Sequence, residues 1–241
     1  MSERWDHQGP HRLTGYESWA YQMPCLGSDG DAFVSITLPR IGGTPGEPPN
    51  RRVIAIGDVL ARRKPAARLK TALESELVRL VDTETDPSRL LKELNHSLTD
   101  IAGETDFAML VVAIIDGDRH EMTVANAGSM CPLLRRPDGR VEMLMEDVCG
   151  LPLWVDRKQT YETITIPVGI GDVAVFFSDG ITAVIDHQER LFDLNRLRTA
   201  IAKAPDDAAS VGWSILQAVR RFQSDRPQLD DITLLCLGRT A

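Results

Sequence analysis

Short apolar runs recur along the chain, and two stretches carry a helical rather than an alternating pattern. Residues 18–25 and 32–38 read as strands separated by Gly27-Ser28-Asp29-Gly30-Asp31, a turn-rich segment. Residues 40–50 hold three glycines and three prolines and read as a loop. A third strand over 52–56 leads into Gly57-Asp58. Leu69, Leu73, Leu77, Leu80 and Val81 then fall at three- and four-residue spacing, which predicts a long helix with Pro65 in its first turn. A second helix starts at Asp86-Pro87, an N-cap followed by proline, with Leu90, Leu91, Leu94, Leu98 and Ile101 on its apolar face.

Beyond residue 106 the pattern turns back to strands. Residues 107–115 are apolar throughout, as in a strand covered on both faces, and Gly117-Asp118 turns it into a partner over 121–125. Residues 132–136 and 141–144 form a second predicted hairpin about Pro137-Asp138-Gly139. Strands over 161–166 and 172–177 follow, then helices over 193–203 and 206–223, and a last strand over 232–237. There is no regular strand–helix alternation, so a doubly wound parallel sheet is excluded. The expected class is α+β: two antiparallel sheets packed face to face and flanked by helix pairs. Residues 1–15 read as a flexible lead-in and 16–241 as one domain.

The chain has 241 residues, 43% of them hydrophobic, enough for a substantial core. A net charge of −8 argues against non-specific binding to nucleic acid or an anionic membrane. The longest wholly apolar run, residues 107–115, is too short to span a bilayer, and the N-terminus lacks a signal-peptide core, so a cytoplasmic location is expected. Cys25, Cys131, Cys149 and Cys236 match no zinc spacing and are expected to be buried free thiols. The five histidines show no paired metal-ligand spacing either.

Three aspartate motifs change the picture. Asp58 follows Val53-Ile54-Ala55-Ile56, Asp179 follows Val173-Ala174-Val175-Phe176-Phe177, and Asp230-Asp231 precedes Ile232-Thr233-Leu234-Leu235. Each carboxylate stands where a buried strand enters or leaves the core, where an isolated charge is costly. Hard divalent cations would hold such carboxylates together. That reading points to a metal-dependent hydrolase, with phosphoester cleavage the leading chemistry. Gly57 and Gly180, beside the ligands, suit close approach of backbone to metal. Taken alone, Gly57-Asp58 or Asp179-Gly180 reads first as a turn, and Asp230-Asp231 as a solvated strand start; their order and their places beside core strands carry the reading.

The stretches NAGSMCPLLRRPDGRVEML (126–144), GDVAVFFSDGITAV (171–184) and LDDITLLCL (229–237) carry a family resemblance. The chain resembles the bacterial PPM-type, metal-dependent serine/threonine phosphatases of the SpoIIE/RsbU/RsbX group, over roughly residues 15–239. The resemblance implies a four-layer αββα sandwich and two Mg²⁺ or Mn²⁺ ions. It implies that Asp58 bridges them, that the Val59 carbonyl completes one, and that Asp179 and Asp230 hold the other side. Asp31 matches the last residue of the family's VGGD, near the metals, and joins Asp58 as a catalytic candidate. The implied substrate is a phosphorylated partner protein, a STAS-type anti-sigma-factor antagonist or a similar signalling protein.

The departures are as informative. The family's GDVSGHGxxAA aligns with Gly57-Asp58-Val59-Leu60-Ala61-Arg62-Arg63-Lys64-Pro65-Ala66-Ala67, so both glycines and the histidine of GHG are replaced. VGGD becomes Ser28-Asp29-Gly30-Asp31, the next family aspartate is Val34, and NAGH ends in Ser129. Arg62, Arg63 and Lys64 stand at a helix N-terminus, already positive from its dipole. Arg62 and Arg63 either grip the substrate phosphate or an acidic patch of the partner, or are simply solvated. Asn126 reads as a turn former, Ser129 lacks the histidine motif a nucleophile needs, and Trp154 reads as packing. Three functions stay open: an active protein phosphatase, a catalytically weak or inactive pseudophosphatase that binds phosphoproteins, or a phosphatase for small phosphoesters.

Overall fold

The computed structural model describes residues 13–25, 30–43, 47, 49–61 and 66–241, with the backbone of Arg4–Trp5 in addition. In chain order the elements are β1 (Arg4–Trp5), β2 (Tyr16–Met23), β3 (Asp31–Leu38), β4 (Arg51–Leu60), α1 (Ala66–Leu80), α2 (Pro87–Leu98), β5 (Phe107–Asp116), β6 (Glu121–Ala127), β7 (Leu133–Arg135), β8 (Val141–Met143), β9 (Ile164–Pro167), β10 (Val173–Phe177), α3 (Asp179–Thr182), α4 (Asp193–Ala202), α5 (Ala208–Gln223) and β11 (Ile232–Arg239). Among the described residues the strands make two antiparallel sheets, each with its own helix pair, which is the expected α+β class.

One unit comprises Gly30–Cys131 and Met145–Val168. Its sheet runs β3-β4-β5-β6-β9. The long runs predicted for β4 and β5 are buried on both faces: Val53, Ile54, Ala55 and Ile56 are at most 1% exposed. On one face Val53, Ala55, Leu110, Val112 and Ala125 meet the leucines of α1 and α2 in a single cluster. Burying each such leucine contributes about 1.5–3 kcal/mol before the entropy of ordering it. Asp86 caps α2 as predicted, its Oδ1 accepting from the Ser88 amide at 2.8 Å and the Arg89 amide at 3.2 Å, with Pro87 next. The helix ends at Leu98, so Ile101, expected on its apolar face, lies past the last turn and is 45% exposed.

Two side chains secure this unit's margins. Glu74 of α1 accepts from the Phe33 amide at 3.1 Å, which satisfies an outward N–H of the edge strand β3. Buried Asn95 accepts from the Trp154 amide at 2.6 Å and donates to the Asp156 carbonyl at 2.8 Å, fastening the 150–160 loop to α2. Trp154 is accordingly a packing residue, 8% exposed in the core cluster.

The other unit comprises Met1–Asp29, Pro132–Leu144 and Gly169–Ala241. Its sheet runs β1-β2-β11-β10-β7-β8. Within the expected lead-in, Arg4 and Trp5 pair with Gln22 and Tyr21. α5 lies on β2 and β11, and α4 on β7 and β8. Trp19 stacks on Tyr21 at 6.3 Å between ring centroids and meets Trp213 at 5.8 Å. Arg135 is buried and closes the C-terminus of α4: its guanidinium donates to the Ile201 carbonyl at 3.1 Å and the Ala204 carbonyl at 2.8 Å, and pairs with Asp206 at 2.9 Å. Cationic donors suit the negative end of a helix dipole.

Candidate metal centre

β3 and β4 bring the first two candidate carboxylates together. Asp31 stands opposite Asp58 in the register. The Val59 amide donates to the Gly30 carbonyl at 3.0 Å, so Gly30 and Val59 form the hydrogen-bonded pair. Alternation along an antiparallel ladder then makes Asp31 and Asp58 a non-hydrogen-bonded pair, whose side chains share one face and lie about 4.5–5.5 Å apart at Cβ. Asp31 is 3% exposed and Asp58 is half-buried. Directly opposed like charges destabilise a sheet, and a cation removes the penalty. Both residues lie on the face that carries Ile54 and Ile56, away from the helix cluster.

Gly30 allows the Asp58 carboxylate to approach the backbone closely. A Cβ there would come 2.0 Å from Asp58 Oδ1 and 3.0 Å from the Val59 carbonyl oxygen, the two oxygen donors assigned to a cation. Gly57 has a different reason from the one expected. A Cβ on it would come 1.8 Å from the Met109 carbonyl oxygen, so the glycine serves the close approach of β4 and β5.

The second pair joins the end of β10 to the start of β11. Ser178 donates its amide to the Thr233 carbonyl at 2.9 Å, and its hydroxyl accepts from the Thr233 amide at 3.0 Å. This fixes Asp179, the first residue of α3, beside Asp230. A Cβ on Gly180 would come 1.8 Å from the Asp231 carbonyl oxygen and 3.6 Å from the Asp230 Cβ, so this glycine too serves backbone approach. Burial, and then the Asp230 carboxylate, push the Asp179 carboxyl above the usual carboxylate range. Such a site favours a proton or a cation over a bare negative charge.

The supports of this second pair were not assigned from sequence. Asp231 is 3% exposed and accepts from the Cys25 amide at 2.6 Å, so the second aspartate of DDIT ties β11 to the end of β2. The Asp231 amide donates to Asp230 Oδ1 at 2.8 Å. Gln228 donates to the Asp230 carbonyl at 2.6 Å and the Met23 carbonyl at 2.9 Å. Ser178 stands at the N-cap of α3, but its hydroxyl makes no cap bond and is used on β11 instead, a pairing that no local pattern announces. A cavity of about 170 Å³ opens beside Asp230, lined by Gly180, Val184, Ile185, Pro227, Gln228 and Leu229.

Asn126 has the expected turn role: its Oδ1 accepts from the Ser129 amide at 2.8 Å, and its Nδ2 donates to the Ser129 carbonyl at 3.0 Å. Arg62 and Arg63 lie outside the described residues. Among the described residues no group of three or more His, Cys, Asp or Glu is drawn together as around a bound ion. The two pairs nevertheless fit hard divalent cations. All donors are oxygen, each pair sets two carboxylates side by side, and Gly30 admits the Asp58 carboxylate where a larger side chain would clash.

The fold is that of the PP2C phosphatases. The phosphatase domain of SpoIIE from Bacillus subtilis, solved with a fragment of its regulatory domain, superposes with a TM-score of 0.76 at 17% identity, over 98% of this chain and 70% of that one. RsbX, solved in complex with magnesium, gives a TM-score of 0.69 at 15% identity over 98% of both chains. Residues 48–240 match the model of the family Stage II sporulation protein E (SpoIIE), and the chain belongs to that family. Phosphoserine phosphatase RsbU of Bacillus subtilis (strain 168) is 29% identical over 129 residues, which is 54% of this chain and 38% of that protein. The chain thus matches well under half the length of that relative. Among the described residues no helix is long and apolar enough to cross a membrane.

Proposed function

We propose that this protein is a cytoplasmic, metal-dependent phosphatase that hydrolyses phosphoserine or phosphothreonine on a partner protein. Asp58, the Val59 carbonyl, Asp179 and Asp230 are the ligands of two divalent cations, Mn²⁺ or Mg²⁺, and Asp31 supports Asp58. The observation that carries the reading is the opposed pair Asp31 and Asp58, with the Asp58 carboxylate and the Val59 carbonyl oxygen drawn close against Gly30. Family membership and the phosphoserine phosphatase RsbU support the same chemistry.

Bound divalent cations neutralise the phosphate dianion and lower the pKa of water at the site. The chain's own residues supply preorganisation. The Ser178–Thr233 exchange and the Gly180 contact hold Asp179 and Asp230 before anything binds, and the β3–β4 register does the same for Asp31 and Asp58. The cavity beside Asp230 would receive a side chain next to the phosphorylated residue, which favours a protein over a small phosphoester. A STAS-type anti-sigma-factor antagonist or similar signalling protein is the substrate class to test first.

The test is Mn²⁺-dependent phosphate release from p-nitrophenyl phosphate, followed by a phosphorylated STAS-type protein. Activity lost on chelation and in Asp179→Asn is expected. The replaced GHG segment favours a second reading, a pseudophosphatase that binds phosphoproteins. Metal and phosphoprotein binding without turnover, in folded protein, would establish that reading and remove the first.

A further inference from the structure

Two of the four cysteines meet in a place the phosphatase chemistry does not use. Cys131 is half-buried just past the Asn126–Ser129 turn, and Cys149 is exposed. The Cys131 Sγ accepts from Asn126 Nδ2 at 3.6 Å and donates to the Met145 carbonyl at 3.8 Å. The segment beyond Met145 turns back on itself, with the Val148 amide donating to the Met145 carbonyl at 3.3 Å. Gly150 then docks on the same asparagine: its amide donates to the Asn126 carbonyl at 2.9 Å, and it bridges Ala127. Asn126 therefore holds one thiol through its side chain and the neighbour of the other through its backbone. The Cys149 thiol donates to the Gly150 carbonyl at 3.7 Å and is among the neighbours that raise the Cys131 thiol.

We propose that Cys131 and Cys149 are an oxidisable pair that closes into an intrachain disulfide when the protein meets hydrogen peroxide. Exposure selects Cys149 for the first step. Its sulfur attacks one peroxide oxygen, the O–O bond breaks, and a sulfenic acid and one water form. The Cys131 sulfur then attacks the Cys149 sulfur. The S–O bond breaks, hydroxide leaves with the Cys131 proton as a second water, and the S–S bond forms. Two thiols lose two electrons and two protons, and one peroxide is reduced to two waters. Burial, and next the Cys149 thiol beside it, push the Cys131 thiol above its ordinary range, consistent with Cys131 as the resolving partner. The product cross-links the Asn126–Ser129 turn to the 145–150 segment.

The test treats the folded full chain with hydrogen peroxide, alkylates free thiols under native conditions, and maps peptides without reduction. A linked pair of peptides carrying Cys131 and Cys149, lighter by two hydrogens and split by dithiothreitol, is expected. Cys25→Ser should keep the link. Cys149→Ser, an exposed and isosteric change, should abolish it. Cys236, fully buried, should stay reduced. Overoxidation of Cys149 with Cys131 still free, or linkage through Cys25 instead, would overturn the proposal. Neither result bears on phosphatase activity.

Discussion

Gly30→Ala separates damage to the site from damage to the fold. The new methyl would stand 2.0 Å from Asp58 Oδ1 and 3.0 Å from the Val59 carbonyl oxygen. Ordinary contact begins near ~3.4 Å, so the carboxylate oxygen must retreat by about 1.4 Å. That oxygen is the far end of a side chain rather than backbone, so the carboxylate turns while the β3–β4 register holds its Cα in place. The Val59 oxygen belongs to the backbone but needs to give only a few tenths of an ångström. Stability should fall by no more than about 1 kcal/mol, below the ~1–3 kcal/mol of an overpacked core. The consequence for function is larger, because displacement of a positioned group by ~1 Å can cost about 100-fold in rate. The expected result is a melting temperature within a few degrees of wild type and Mn²⁺-dependent hydrolysis down by about 100-fold. A variant with wild-type turnover and metal affinity would refute the role given to Gly30. One that unfolds outright would show the glycine to be structural.

Three further predictions follow from neighbouring features. Gly57→Ala puts a methyl 1.8 Å from the Met109 carbonyl oxygen, which is backbone, and should cost about 3 kcal/mol or more, read as a lowered urea midpoint at unchanged slope. Asp86→Ala removes the α2 cap and should cost about 1 kcal/mol at pH 7. Burial alone would raise the Asp86 carboxyl, but bonds from the Ser88 hydroxyl and the Arg89 and Ser88 amides outweigh it and hold it below the usual range. Its contribution is therefore complete above the unfolded value near ~3.9 and disappears as pH falls through the lower folded value, so wild type and variant should converge in stability at the acid end. Asp179→Asn, in chelated protein, removes a half-buried charge beside Asp230 and should raise the melting temperature while abolishing activity in the metal-loaded enzyme; a lower melting temperature would show that Asp179 is held by attractions rather than repelled by its neighbour.

Much of this was legible because much of it is local. Asp86-Pro87 announced its helix through a cap and a fixed φ, and 107–115 announced a strand covered on both faces by having no polar position. What escaped depends on register and on distant neighbours. Gly57 and Gly180 were read as making room for metal, whereas each makes room for a carbonyl oxygen from a strand start or strand interior far off in sequence. The short α3 has too few residues for any periodicity to show. The cysteines were expected buried, but among the four only Cys236 is, since Cys131 and Cys149 lie in loops whose course no hydrophobic pattern sets.

The opposition of Asp31 and Asp58 could not be read from the chain either, and it explains why the carboxylates sit where they do. A one-residue slip of β3 against β4 would send the two side chains to opposite faces and end their repulsion. That slip is prevented by the rest of the pair: Ala32, Val34 and Leu38 on one strand and Val53, Ala55 and Val59 on the other must all meet the helix cluster at once. The apolar register thus sets two carboxylates side by side at the strand end, where Gly30 admits the Asp58 side chain. The proposed cation site, held this way, would not depend on its ligand for its shape. Chelation should therefore leave the Asp31–Asp58 pairing unchanged, which is the condition for the preformed cation site proposed above.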